Sequence, residues 1–122
     1  MPMKTFLAAM AVPALLLSAP VAAQGVVNND PAPGYSSLMS ANYGKAEQEI
    51  RSANVSVYDP ARAINLGIAL AKTGRGAEAA KEFKSVMLEE NVEMVVANGQ
   101  TVMSHDVAQR ALTALADGTF SR

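Results

Sequence analysis

Three consecutive residues, Ser104, His105 and Asp106, carry the side chains of a hydrolytic triad: a nucleophile, a base and a carboxylate to orient it. A triad works when its members converge from separate elements, whereas neighbours on the first turn of a helix point in different directions. The same run reads more simply as a helix start, with Ser104 as the cap and Asp106 near the positive end. Glu89, Glu90 and Glu93 gather carboxylates but lack the Asp/Asn loop spacing, or a partnering histidine, that a cation site uses. Gly74-Arg75-Gly76 has neither the length nor the lysine of a phosphate loop and reads as a turn. Met39, Met87, Met94 and Met103 would suit a metal or an adaptable binding surface, and equally suit a core. These residues predict no catalysis, no cofactor and no metal site.

Composition narrows the classes further. The chain has no cysteine, which excludes disulfides, thiolate metal sites, cysteine nucleophiles and a lipid-anchored N-terminus. One histidine and no tryptophan leave little material for a reaction centre. The formal charge is −1, with basic residues scattered singly among acids, so no clustered basic face exists for nucleic acid.

The 122 residues are enough for one domain and too few for two ordinary ones. Met1–Ala23 has a positive start at Lys4, an apolar run over Phe6–Leu17 and a small-residue end at Val21-Ala22-Ala23. Pro13 and Pro20 interrupt the run, which falls short of the ~20 apolar residues a spanning helix takes. The stretch predicts a cleaved export signal, a mature chain starting near Gln24 and an exported protein, periplasmic or secreted. A bacterial periplasm is preferred, because neither disulfides nor glycosylation is needed to explain the export. Residues 24–34, with Asn28, Asn29, Asp30, Pro31, Pro33 and Gly34, show no periodicity and read as a flexible arm.

The folded part is expected over residues 35–118. Tyr35–Ser40 makes a short helical turn; after a break at Ala41-Asn42, Tyr43–Asn54 places Ala46, Ile50 and Ala53 on one face. Val55–Tyr58 crosses in extended form to Asp59, which caps a helix whose first position is Pro60. Between Pro60 and Thr73 two apolar faces appear, one of Ala63, Leu66, Gly67 and Leu70, the other of Ile64, Ile68 and Ala71. A helix apolar nearly all round needs cover on several sides. Gly74 and Gly76 turn the chain into a second helix, Ala77–Glu90, with the stripe Ala79, Ala80, Phe83, Val86 and Met87. Residues 92–103 turn β-branched around Asn98-Gly99, which predicts a hairpin with a type I′ turn pairing Val96 with Thr101, Val95 with Val102 and Met94 with Met103. Such a ribbon must lie on the helices to be stable. A last helix, 104–117, buries Val107, Ala111, Leu112 and Leu115 and ends at Gly118.

Ala46, Ile50 and Ala53 recur as Ala79, Phe83 and Val86, each pair 33 residues apart, and Gly34 and Gly67 share that offset. With Leu66-Gly67, Leu70, Gly74, Ala79, Phe83 and a small apolar Val86, the chain resembles the tetratricopeptide repeat (TPR) family, whose period is about 34 residues. The resemblance covers one full repeat at 59–90 and a degenerate partial one at 35–54. Ala63 and Leu70 stand where the family carries larger or aromatic side chains. Pro33, at the position equivalent to Leu66, prevents a full first helix before Gly34. The resemblance implies a mainly α fold of TPR-like stacked helical hairpins, joined here by a short β-hairpin before a C-terminal helix. It also implies a ligand groove lined by the first helix of the repeat, here Ala61, Ile64, Asn65, Ile68 and Lys72. Asn65 would hydrogen-bond a bound backbone and Lys72 would meet a carboxylate. The expected function is an exported protein–protein interaction module or scaffold without catalysis, binding a protein or peptide. The alternative is a self-associating envelope protein, a homo-oligomer paired through the 92–103 ribbon or the 60–73 helix.

Overall fold

Asp59 and Pro60 start the helix that the rest of the chain covers. The Asp59 carboxylate accepts from the Arg62 N–H at 2.9 Å, and Pro60 occupies the first turn, where no N–H is missed. In this computed structural model, which describes residues 22–26 and 32–121, the elements in chain order are as follows. Strand β1 (Ala23–Val26) precedes helices α1 (Tyr35–Met39), α2 (Tyr43–Ser52), α3 (Pro60–Lys72) and α4 (Gly76–Leu88). Strands β2 (Glu93–Val96) and β3 (Thr101–Met103) lead to helix α5 (Ser104–Ala116) and a 3-10 turn at Thr119–Ser121. The fold is mainly helical with one small three-stranded antiparallel sheet, in the order β1-β2-β3. The export-signal reading of residues 1–21, and residues 27–31 of the expected arm, lie outside the described residues.

Helix α3 touches α1, α2, α4, α5, β1 and the 3-10 turn. Every residue from Ala63 to Ala71 is buried, as its two apolar faces require. It stops in a Schellman arrangement: Gly74 takes φ 81°, its N–H reaches the Ala71 carbonyl at 3.2 Å, and the Arg75 N–H reaches the Leu70 carbonyl at 2.9 Å. The chain then re-enters helix at Gly76, and α4 ends at Leu88, two residues short of the expected Glu90.

The 33-residue echo has a physical counterpart. A Cβ placed on Gly67 would lie 2.4 Å from Cε1 of Phe83, and one placed on Gly34 would lie 2.6 Å from Cγ1 of Ile50. In both copies a glycine lets a large apolar side chain sixteen positions later press onto the backbone. Phe83 and Ile50 are both fully enclosed. Phe83 also stacks on Phe120 of the 3-10 turn, with ring centroids 6.1 Å apart and planes 14° apart. Phe120 lies beyond the expected helix end at Gly118, which is present with φ 79°, and it returns the chain to the core.

Four local expectations are corrected. Gln24–Val26 is not a flexible arm: with Ala23 it forms β1, antiparallel to β2, with Gly25 opposite Val95 and Val26 opposite Met94. The hairpin register is one residue off the expected pairing, with Glu93 opposite Met103, Met94 opposite Val102 and Val95 opposite Thr101. The cause is the loop. Gly99 has φ 85° and donates its N–H to the Val96 carbonyl at 2.8 Å, while Asn98 keeps a negative φ; the connection is therefore a three-residue loop with one left-handed position rather than a type I′ turn, which needs two. Val55–Tyr58 is not extended: the Asp59 N–H returns to the Ser56 carbonyl at 3.1 Å, and Ser56 Oγ accepts from the Tyr58 N–H. Ser104 does not cap α5 with its side chain. Its hydroxyl accepts from the Val92 N–H at 2.9 Å, and Asn91 Oδ1 accepts the first-turn N–H of His105 instead, at 2.9 Å. The buried face of α5 is Val107, Ala108, Ala111 and Ala114, with Leu112 and Leu115 half-buried beside it.

Candidate functional site

The first candidate is the α3 face read as a groove. Ala61, Ile64, Asn65 and Ile68 are all buried there, Asn65 wholly, and Lys72 is exposed. The groove is filled by the chain itself. Asn65 Oδ1 accepts the Ala23 N–H at 2.8 Å, and Asn65 Nδ2 donates to the Ala23 carbonyl at 2.9 Å and to the Pro33 carbonyl at 3.3 Å. An amide on α3 thus does bond an extended backbone, but the backbone is β1. Lys72 Nζ lies 6.0 Å from the centre of the Phe120 ring, at the outer limit for a cation–π contact, and not among the groove residues' contacts with β1. The expected open groove is therefore corrected: four of its five positions are core. The remaining positions of the repeat signature are placed by the same packing, with Leu66, Leu70, Ala79, Phe83 and Val86 buried, Gly67 under Phe83, and Gly74 at the turn.

The second candidate was not read from the sequence. The turn between α2 and α3 carries Val57 and Tyr58 into solvent, 60% and 68% exposed, and α4 ends on Leu88, 85% exposed. Between them lies a cavity of about 450 Å³ whose floor is Leu66 and Val86 and whose wall includes Arg62. Arg62 Nε is buried with no hydrogen-bond partner among the described residues. A buried guanidinium donor left without an acceptor is uncommon, because its desolvation is uncompensated. The sequence signal was available: Val55-Ser56-Val57-Tyr58 is an apolar run that its turn leaves uncovered, followed four residues later by Arg62.

No protein-family model, curated protein or solved structure matches this chain.

The chemical candidates are not drawn together. Ser104 Oγ is buried, accepting from Val92 N–H and lying 3.3 Å from Asn91 Oδ1. His105 Nε2 lies 2.8 Å from the Glu89 carbonyl, an acceptor only, so that nitrogen carries the proton and the ring ties α5 to the end of α4. Asp106 is exposed on the first turn of α5. Among the described residues no group of three or more His, Asp or Glu side chains could hold a metal ion, and no helix is long and apolar enough to cross a membrane. Met94 is core, Met39 is exposed, and Met87 and Met103 lie on separate elements.

One ion-pair cluster fastens α2 to the α3–α4 turn. Glu47 on α2 takes Arg51 Nε at 2.9 Å and both terminal nitrogens of Arg75, Nη1 at 3.1 Å, at the α3–α4 turn. Hydrogen bonding by Arg75, then by Arg51, holds the Glu47 carboxyl at about 2 against an ordinary 4.5. A carboxyl depressed in the folded state stabilises it above the unfolded value and loses that contribution as pH falls through the folded one. Unfolding midpoints in urea should therefore decline between about pH 4.5 and 2, and Glu47→Gln should flatten that part of the profile. The guanidiniums are partly solvated, which keeps the effect modest. An unchanged profile in Glu47→Gln would show that the pair does not couple to folding.

Proposed function

We propose that this chain is an exported, periplasmic, TPR-like polypeptide-binding module with no catalysis of its own, and that its partner enters the cleft between the α2–α3 turn and the end of α4. The single observation that carries this is the cleft itself: a cavity lined by Arg62, with the exposed side chains of Val57, Tyr58 and Leu88 at its rim. That chemistry fits a segment presenting an apolar side chain to the rim and a carboxylate or carbonyl to Arg62. The matched glycine contacts at Gly34 and Gly67 support the repeat reading on which the module rests.

The test is photo-crosslinking in cells that export the protein, with a benzoylphenylalanine at position 58. A discrete polypeptide adduct is expected, reduced about tenfold or more by Leu88→Asp. That substitution sits on an exposed side chain and should leave stability within about 0.5 kcal/mol. No adduct, or one equally strong in Leu88→Asp, would refute the cleft assignment. Self-association is the second reading, since the outer edge of β3 has no strand beside it among the described residues. The 60–73 helix is too buried to serve it. An adduct of twice the chain's mass would favour that reading.

A further inference from the structure

The place where Ala22 and Ala23 sit is built by two elements. Asn65 on α3 takes both backbone polar groups of Ala23, at 2.8 and 2.9 Å. The edge of β2 supplies the rest: Ala23 lies opposite Val96, and the Ala22 carbonyl accepts the Ala97 N–H at 3.0 Å. Every one of these bonds is to backbone, so they recognise an extended chain without regard to its side chains. Both residues are buried, Ala23 completely, which favours small side chains at these two positions.

The export signal read from the sequence ends on these same two residues. Hydrolysis of the Ala23–Gln24 bond by a leader peptidase adds one water, leaving a carboxylate on Ala23 and an amine on Gln24. We infer that this processing empties the seat, and that the exported protein then takes there the C-terminal end of another polypeptide, extended along β2, with alanine-sized residues at its last two positions. The need for a chain end follows from the register. Gly25 and Val26 remain opposite Val95 and Met94, and Gln24 Nε2 donates to the Val96 carbonyl at 2.8 Å, so a chain in the seat runs toward Gln24 and must stop there. Its carboxylate meets the new amine of Gln24. Going from peptide-bond length to a charge-assisted hydrogen bond takes a shift of about 1.5 Å. The emptied seat leaves Asn65 with only the Pro33 carbonyl, at 3.3 Å, of its present partners. A buried amide so placed favours any backbone that restores its bonds. This inference rests on the export reading and on nothing in the cleft.

The full chain is to be exported from a bacterial host, recovered from the periplasm, and its first residue read by mass spectrometry. The recovered protein is then titrated with the peptide Ala-Pro-Val-Ala-Ala (residues 19–23), following the Asn65 side-chain amide and the Ala97 backbone amide by NMR. A start at Gln24 is expected, with saturable shifts of both signals. Affinity should fall about tenfold or more when phenylalanine replaces either of the last two alanines, or when the peptide is continued by Gln-Gly. A start elsewhere, an unmoved Asn65 amide at millimolar peptide, or equal binding of the continued peptide would overturn it. A start elsewhere would also count against the export reading, whereas an unmoved Asn65 amide or equal binding of the continued peptide would not; none of these decides crosslinking from position 58, so the cleft assignment fails separately.

Discussion

Gly67→Ala is expected to destabilise the protein by about 1–3 kcal/mol, although alanine is the better helix former by roughly 1 kcal/mol. The added methyl would meet the Phe83 ring at Cε1, Cδ1 and Cζ, all at 2.8 Å or less. The ring cannot swing away, because it is fully enclosed and stacked on Phe120. Phe83→Ala removes the obstacle and opens a hole at the centre of the core, for a loss of about 3–5 kcal/mol. The informative measurement is the pair. In urea unfolding, the cost of Gly67→Ala should largely vanish in a Phe83→Leu background, since the two changes act on one contact. Additive losses would show that Gly67 and Phe83 are not pressed together and would remove the physical basis of the 33-residue echo.

Asn65→Leu should have an effect that depends on where the chain begins. With Ala22 and Ala23 present, leucine leaves the Ala23 N–H and carbonyl buried without partners, for a loss of about 2–4 kcal/mol by the usual penalty for two such groups. In protein starting at Gln24 those groups are gone. Replacing a buried, half-satisfied amide by an apolar side chain of similar size is then close to neutral, or stabilising. Urea unfolding of both forms, each with and without the substitution, checks this. The same loss in both would mean that Asn65 acts through something other than β1.

The parts of the fold legible in the sequence are those whose causes are local. Asp59 and Pro60 mark a helix start without reference to anything distant, and Gly74 marks its stop through its own φ. The apolar girth of α3 announced that several elements must cover it, and α2, α4, α5 and β1 do. What it did not announce was β1. Four residues including a glycine carry no usable alternation, and the partner strand lies about seventy positions away, so neither periodicity nor turn chemistry points to it. The hairpin slip has a similar origin. Asn98-Gly99 is compatible with a two- or three-residue loop, and the choice hangs on the φ of a single residue.

The candidate site divides along the same line. That Asn65 could bond a backbone was legible from its side chain, which both donates and accepts, although the expected backbone was that of a bound ligand. Whose backbone it holds was not, because that depends on chain folding back from forty-two residues away. Ser104 differs for the converse reason: a serine at a helix start normally serves its own helix, but Met103 holds the cap position, and Ser104, the first helical residue, turns its hydroxyl to the Val92 N–H instead. Arg62 needed tertiary knowledge altogether, since only the burial of its Nε without a hydrogen-bond partner among the described residues makes an ordinary arginine unusual.

Helix α3 is a core helix that the chain encloses, and the partner proposed for the module is placed at the cleft beyond it. Amide hydrogen exchange of the native protein, followed residue by residue, tests that most directly. The amides of Ile64 to Ala71 should exchange only through global unfolding, with the same denaturant dependence as Phe83 and Ala111, while Val57 and Tyr58 exchange freely. Exchange of Ile64, Asn65 and Ile68 by a low-energy local opening, as rapid as that of Tyr58, would contradict it and return those residues to an open groove.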